Sequence, residues 1–365
     1  MNNKPRLVGI DLLKGIAAYA VVYIHSQGGN YGNTDYLAEK AGVFFTIFAV
    51  PFFLAASFYL LIQKIYLSTS PYSFISRLKS LVFPYIIWTL IYLTLRAIKY
   101  YIHGDITKVI SLFSDPVSIL LLGGSAVQLY FIPLLISGVI CFELIRKNFF
   151  NIKFNVSILV FLIILSTLTY EVILSSGNSF NLGKNVAFVE IVKSTTPDLN
   201  NNPLLRVILV ELAWVLRCLP NIFIAMFLNH PYINKKILNL DIFYTMLFFS
   251  LALSLNMFST FGYSVFPPFI TEICISYFYL IFSILISNKI SANYSITNLG
   301  ICSFGIYLIH HMLIDFVRPI IYKLYPGSIT LITVSMCATI SFLLSWVLVV
   351  YLRKFTKIRT LLFGG

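Results

Sequence analysis

Residues 10–26 read IDLLKGIAAYAVVYIHS, an apolar stretch of helix length that carries three ionisable residues, Asp11, Lys14 and His25. Charge at bilayer depth is costly, so such residues in a membrane helix pair with one another, line a wet cavity or do chemistry. At about 100° per residue, Lys14 and His25 fall within roughly 20° of one helix face, and Asp11 lies one turn below Lys14 close to that face. Along the axis Lys14 and His25 are separated by about 16 Å. The stretch predicts one membrane helix with an ion-pair candidate near one surface and an imidazole deep in the bilayer or across it.

The rest of the chain extends this reading. Hydrophobic residues make up 59% of the 365 and charged residues only 11%, with a mean hydropathy of +0.88. A soluble domain of that balance could not cover its surface with polar groups, so the expected fold is all-α, a polytopic transmembrane helical bundle. The net charge of +13 would suggest nucleic acid in a soluble protein. Here Lys and Arg read instead as topological signals at helix ends, and no nucleic-acid partner is expected. Cys141, Cys218, Cys274, Cys302 and Cys337 all lie in apolar stretches without CxxC spacing, which argues against disulfides and a zinc site. Lys4, Arg6 and the following apolar run mimic a signal peptide, but Asp11 and Lys14 interrupt it and further spans follow. It reads as a retained first helix.

Apolar runs predict ten spans, near 8–27, 41–63, 81–102, 126–145, 155–174, 205–228, 239–258, 268–288, 296–316 and 328–352. With a cytoplasmic N-terminus, fifteen basic residues fall at cytoplasmic ends, among them Arg77, Lys79, Arg146 and Lys147, against nine on the other side, including Arg206 and Arg318. That bias places both termini in the cytoplasm. The segment 64–80 reads as an interfacial helix or loop on the inside. The Asn-, Ser- and Gly-rich segment 175–204 reads as an outside connector, with a carbohydrate-facing loop as the second reading. The whole chain, 1–365, is expected to form one membrane-embedded domain.

Asp11, Lys14 and His25 admit two readings. In one, Asp11 and Lys14 close a helix start and His25 packs. In the other, Lys14 holds an anion or orients a neighbour near the inner face, and His25 acts as a general base toward a hydroxyl. Arg217, embedded in the sixth span, must pair or point into a wet cavity. Glu211 lies six residues earlier on a different face, so Asp11 and Glu272 on other helices are the open partners. His311 and Asp315 share a face at i,i+4, which suits a His–carboxylate dyad. Further ligands in register are lacking, so no metal is expected. Tyr307 and His310, at i,i+3, line a cavity or support packing.

Segment 6–25, RLVGIDLLKGIAAYAVVYIH, resembles the opening motif of the acyltransferase 3 family of integral membrane acyltransferases, with Lys14 and His25 at the family's basic residue and histidine. VPFFLAASFYL (50–60) is similar to the family's VPFFFxxSGYxL, with Ala56 and Ser57 where Ser-Gly is usual. FISRLKSLVFPYIIW (74–88) resembles FxxxRxxRLxxPYxxW, with Arg77 matching and Lys79 nearby. QLYFIPLLI (128–136) resembles LWFLxALL, with Tyr130 in place of Trp. WVLRCLPNIFIAMFL (214–228) resembles RxLPxFxxGxxL through Arg217, with Ala225 where Gly is usual. LGICSFGIYLIHHMLI (299–314) resembles GxxSFxIYLxHxPxI through Ser303, Tyr307 and His310. Six modest motifs in the right order span nearly the whole chain.

The resemblance implies acyl transfer, commonly of acetyl, from cytoplasmic acyl-CoA to a hydroxyl of a surface glycan or its lipid-linked precursor. Acetyl-CoA is then the expected co-substrate, the glycan and membrane lipid the expected partners, and the inner (cytoplasmic) membrane the expected location. Arg77 and Lys79, with Arg217, would receive the CoA phosphates, unless they are only positive-inside charges. The catalytic set would be His25, Lys14 and Asp11, with His25 deprotonating the acceptor and Lys14 near the inner face holding an anion or orienting a neighbour. An acyl-His intermediate is the nucleophilic alternative. Ser303, Tyr307 and His310 would line the substrate cavity. From another class, a transporter or flippase of a glycan intermediate also fits ten spans with buried charges, although no internal repeat is visible.

Overall fold

The computed structural model describes residues 6–28, 32–67, 72–149, 155–175, 203–326 and 329–365. These form α1 (Val8–Ser26), α2 (Tyr36–Leu67), α3 (Phe74–Ile102), α4 (Ile106–Ser111), α5 (Pro116–Leu121), a 3-10 turn (Val127–Tyr130), α6 (Phe131–Phe149) and α7 (Val156–Ser175). After them come α8 (Pro203–Asn229), α9 (Pro231–Leu238), α10 (Ile242–Thr260), α11 (Pro268–Ile286), α12 (Tyr294–Leu324), α13 (Leu331–Leu352) and α14 (Thr356–Phe363). Among the described residues the only β feature is an isolated bridge between Thr34 and Ile329. The fold is an all-α polytopic bundle, with ten helices among the described residues long and apolar enough to cross a membrane.

All ten expected spans are present, but several helices outrun their apolar windows. The segment 64–80 divides: α2 continues to Leu67, and α3 starts at Phe74 instead of 81. Ser73 caps α3 by accepting from the Ser76 N–H at 3.2 Å, so Arg77 and Lys79 sit in its first turns. The basic tail after 352 forms α14, which its charges alone did not announce. Most of the expected connector 175–204 lies outside the described residues.

The helices group into two compact units. The first comprises the chain up to Tyr66 together with Leu228–Phe355. Here α1 packs on α11, α12 and α13. Lipid tails are as apolar as leucine, so helix association in a membrane depends on close packing and hydrogen bonds, which small residues permit. On α1 these are Gly9, Gly15, Ala17, Ala18 and Ala20. A Cβ on Gly9 would stand 2.1 Å from the Ser283 carbonyl oxygen of α11, and the Gly9 N–H donates to Ser287 Oγ at 2.9 Å. On α12, a Cβ at Gly300 would stand 2.3 Å from Asp11 Cβ. At the margin of this unit, α10 leaves much of its surface open and meets α11 through Phe249 and Phe282, ring centroids 4.9 Å apart.

The second unit comprises Leu67–Phe227 and Thr356–Gly365. Its centre is α3, against which α6 and α14 pack. Trp88 Nε1 donates to the Leu362 carbonyl at 3.0 Å, and the left-handed Gly364 (φ +75°) lets the chain pass so close that a Cβ would meet the Ser80 carbonyl at 2.1 Å. Tyr85 Oη donates to the Ile119 carbonyl at 2.9 Å and accepts from the Gly123 N–H at 3.0 Å, tucking α5 and its following turn against α3.

Asp115 caps α5 through the Ser118 N–H at 3.0 Å and pairs with Arg206 of α8 at 2.6 Å. Burial pushes the Asp115 carboxyl up, but the Arg206 and Ser118 hydrogen bonds outweigh it and hold the group below the usual carboxylate range. A carboxyl held low contributes stability that is complete above pH about 4 and is lost as the pH falls through the lowered value. Thermal unfolding in detergent should therefore show the wild-type midpoint falling below about pH 4. Asp115→Asn should start lower and lose that part of the slope. An identical slope in both proteins would remove Asp115 from the balance.

Candidate functional site

In the first unit the stripe on α1 meets a matching face of α12. The two helices run in the same direction, as the first and ninth spans of an alternating chain must. Asp11 and Lys14 therefore lie beside Gly300, and His25, eleven residues on, lies beside His310 and His311.

At the first level, Asp11 is buried (6% exposed) and accepts from Arg6 Nε. Lys14 Nζ lies 3.9 Å from Asp11 Oδ1 and donates to the Gly300 carbonyl at 2.9 Å. Ser303 Oγ donates to that same carbonyl at 2.9 Å. The expected Asp11–Lys14 pair is thus the longer half of a three-residue cluster completed by Arg6, which sequence reasoning had counted only as a topological charge. Two cations on one carboxylate leave a net positive charge at this end of α1, suited to an anionic ligand.

At the second level, His25 occupies the last turn of α1. Its ring centroid lies 5.3 Å from that of His310 and 5.4 Å from that of His311. His310 is fully buried, and its Nδ1 lies 2.6 Å from the Tyr307 carbonyl. A carbonyl only accepts, so Nδ1 is assigned the proton and Nε2 the lone pair. Nε2 is buried and has no hydrogen-bond partner among the described residues. A buried acceptor without a partner is costly, which makes this nitrogen a natural seat for a substrate proton. The Tyr307 ring lies nearby, its centroid 6.0 Å from His310 in a tilted arrangement and 6.4 Å from Phe53 of α2 edge to face. Ser303, Tyr307 and His310, at i, i+4 and i+7, all fall on the buried face of α12.

The end of α1 is fixed through its backbone. Helix C-termini leave carbonyls without internal partners. Arg318 Nη2 donates to the His25 carbonyl, and Tyr322 Oη donates to the Ser26 carbonyl at 3.2 Å. Arg318 was read only as an outside charge. Its position seven residues after His311, on the same helical face, was the available signal. Among the described residues no group of three or more His, Cys, Asp and Glu has the geometry to hold a metal ion.

The remaining predicted residues belong to the second unit. Arg77 is partly buried, and its Nε has no hydrogen-bond partner among the described residues; the same holds for the buried Tyr72 Oη. Arg146 lies 5.6 Å over the Tyr72 ring and makes two 2.8 Å hydrogen bonds to Glu143, with Lys147 at 3.8 Å from that carboxylate. Lys79 is exposed, because residues two apart on a helix point in widely different directions. Arg77 and Lys79, paired by sequence proximity, are therefore not on one face. Arg217 lies partly buried in α8, and its carbonyl accepts from Asn221 Nδ2 at 3.1 Å. Glu211, on the same helix, accepts from Ser137 Oγ of α6.

Compared with known proteins, residues 7–350 match the sequence model of one family, described as an acyltransferase domain. No curated protein and no solved structure matches the chain.

Proposed function

This chain belongs to the acyltransferase 3 family, and from that premise we propose that it moves an acetyl group from acetyl-CoA to a glycan hydroxyl. That it is a multi-pass membrane acyltransferase follows from the family and the ten apolar helices. The acceptor in this proposal is a cell-surface polysaccharide or its lipid-linked precursor. The enzyme would lie in the inner membrane with both termini in the cytoplasm, needing neither a metal nor nucleic acid.

The observation that carries the reading is the imidazole cluster of α1 and α12, with His25 at its edge. An imidazole is matched to proton transfer near neutral pH. In the proposed step a His25 ring nitrogen takes the acceptor hydroxyl proton while the oxygen attacks the thioester carbonyl. The tetrahedral intermediate collapses with cleavage of the C–S bond. The leaving thiolate takes the proton back from the imidazolium, giving the ester and free CoA thiol. His310 Nε2, without a hydrogen-bond partner among the described residues, is the lone pair that would hold or orient an N–H or O–H next to His25. Net positive charge about Arg6, Lys14 and Asp11 suits the donor. Arg77 is the principal phosphate ligand in this reading, supported by a buried Nε that has no hydrogen-bond partner among the described residues; Lys79 is exposed and adds only general attraction. Arg217 is kept as a further donor-binding cation.

Free thiol released from acetyl-CoA by the purified protein, supplied with lipid-linked glycans, tests this reading. Wild type should release thiol only when acceptor is present. Arg77→Ala should raise KM for the donor about tenfold or more with a smaller change in kcat, the loss of one charge-assisted contact. Absence of thiol release by the wild type, with glycan moved across the membrane, would favour the transporter reading. An unchanged KM would return Arg77 to a topological charge.

A further inference from the structure

A cavity of about 520 Å³ opens in the second unit where the last turns of α3 meet α4, α5 and the turn after α5. That size suits a small ligand. Arg96, Tyr100, Lys108, Ser111, Asp115 and Ser118 form its polar lining, with backbone from Gly123 and Gly124, and Leu112, Ile119, Ala126 and Val127 form its aliphatic part. None of these residues takes part in the site described above.

The walls are built before any ligand arrives. Arg96 Nη1 donates to the Ser125 carbonyl at 2.9 Å, and Tyr85 ties down the Gly123 N–H from below. Gly123 has φ +77°, and a Cβ there would lie 2.5 Å from the Tyr130 nitrogen, so the turn needs glycine. Asp115 is held by Arg206, and Lys108 lies 2.5 Å from Asp105 Oδ2 and 6.0 Å from the Tyr100 ring centroid.

We propose that this cavity seats a hydroxylated sugar unit of the acceptor glycan. Its chemistry separates three ligand classes. An acyl chain would match only the aliphatic part and leave two cations, a carboxylate and hydroxyls without partners. A bare phosphate would answer Arg96 and Lys108 but leave Asp115, the hydroxyls and the Tyr100 face without a partner. A sugar ring uses what is present: alternating donors and acceptors at its hydroxyls, and the Tyr100 ring for its C–H face. Placement agrees. Arg77 and Arg96 stand at opposite ends of α3, nineteen residues apart, or about 29 Å at helical rise, close to the thickness of a hydrocarbon core. If acyl-CoA phosphates engage the Arg77 end, the cavity faces the opposite side, where a surface glycan is found. The assignment rests on the acyl-transfer reading for which glycan is bound, and on its own residues for the sugar chemistry.

The test uses the full chain in nanodiscs and saturation-transfer NMR. The probes are short oligosaccharides of hexose, N-acetylhexosamine and hexuronate, and glycerol 3-phosphate as a lipid-headgroup mimic. At least one oligosaccharide should be saturated by the wild type. Ser111→Trp, which fills the cavity from an exposed position, should abolish that signal. Tyr100→Ala should weaken apparent binding roughly tenfold, the loss of one packed aromatic contact. Ile102→Trp, exposed and outside the lining, should bind as wild type does, which separates occlusion from a general effect of added tryptophan. Equal thermal midpoints for all variants verify the fold. The proposal is overturned if no oligosaccharide is saturated, if Ser111→Trp binds like wild type, or if glycerol 3-phosphate alone is saturated. Thiol release is scored separately. Sugar binding without release strikes the transfer reading and leaves a sugar site, whereas release without sugar binding strikes the cavity alone.

Discussion

His25→Ala is expected to lower acyl transfer by about two to four orders of magnitude, the range that a positioned general base supplies. Membrane insertion and thermal midpoint should hardly change. The reason lies in how α1 ends: Arg318 and Tyr322 grip the His25 and Ser26 backbone carbonyls, and those bonds survive loss of the imidazole. The variant therefore separates chemistry from architecture better than most catalytic substitutions do. His310→Gln is its companion, because the amide keeps hydrogen-bonding capacity while losing the titratable ring. Thiol release measured across pH in both variants decides between the two imidazoles. Full activity in His25→Ala with loss in His310→Gln would transfer the base assignment to His310 Nε2, and full activity in both would end the imidazole mechanism.

Gly9→Val should produce the largest loss of stability. A Cβ there would lie 2.1 Å from the Ser283 carbonyl oxygen and 2.6 Å from Ile286 Cγ2, and a helix backbone cannot step aside as a flexible side chain can. Overpacking of this kind costs about 3 kcal/mol or more. It also strips the Gly9 N–H of Ser287. Ile16→Val, on the exposed side of α1, is the control and should stay within about 0.5 kcal/mol of wild type. Thermal unfolding in one detergent reads both. A wild-type midpoint for Gly9→Val would mean that α1 and α11 do not meet at backbone distance.

The ten spans were legible because each is a long apolar run, and the stripe on α1 was legible because helical angles follow from residue counts. Helix ends were not, since backbone hydrogen bonds continue past the last apolar residue: α3, capped by Ser73, begins at Phe74, seven residues before its apolar window. Nor was the facing surface of α12. Gly300 and Arg318 lie more than 280 residues from their α1 partners, and no local pattern encodes that pairing. Counting charges by side treats Arg6 and Arg318 as topology alone and cannot reveal that one pairs with a buried carboxylate and the other holds a helix terminus. The divergence of Arg77 and Lys79, by contrast, follows from i,i+2 spacing alone.

Fastening α1 to α12 at both ends makes it a gauge of fixed length. Neither Lys14 nor His25 can be drawn along the membrane normal to suit a particular substrate, because each level is tied to its own carbonyl partner. Any adjustment of reach must then come from the incoming molecule. For the proposed acyl-CoA donor that would be the flexible arm between nucleotide and thioester, and arm length, more than the chemistry of the acyl group, would then be the dimension that such a scaffold reads.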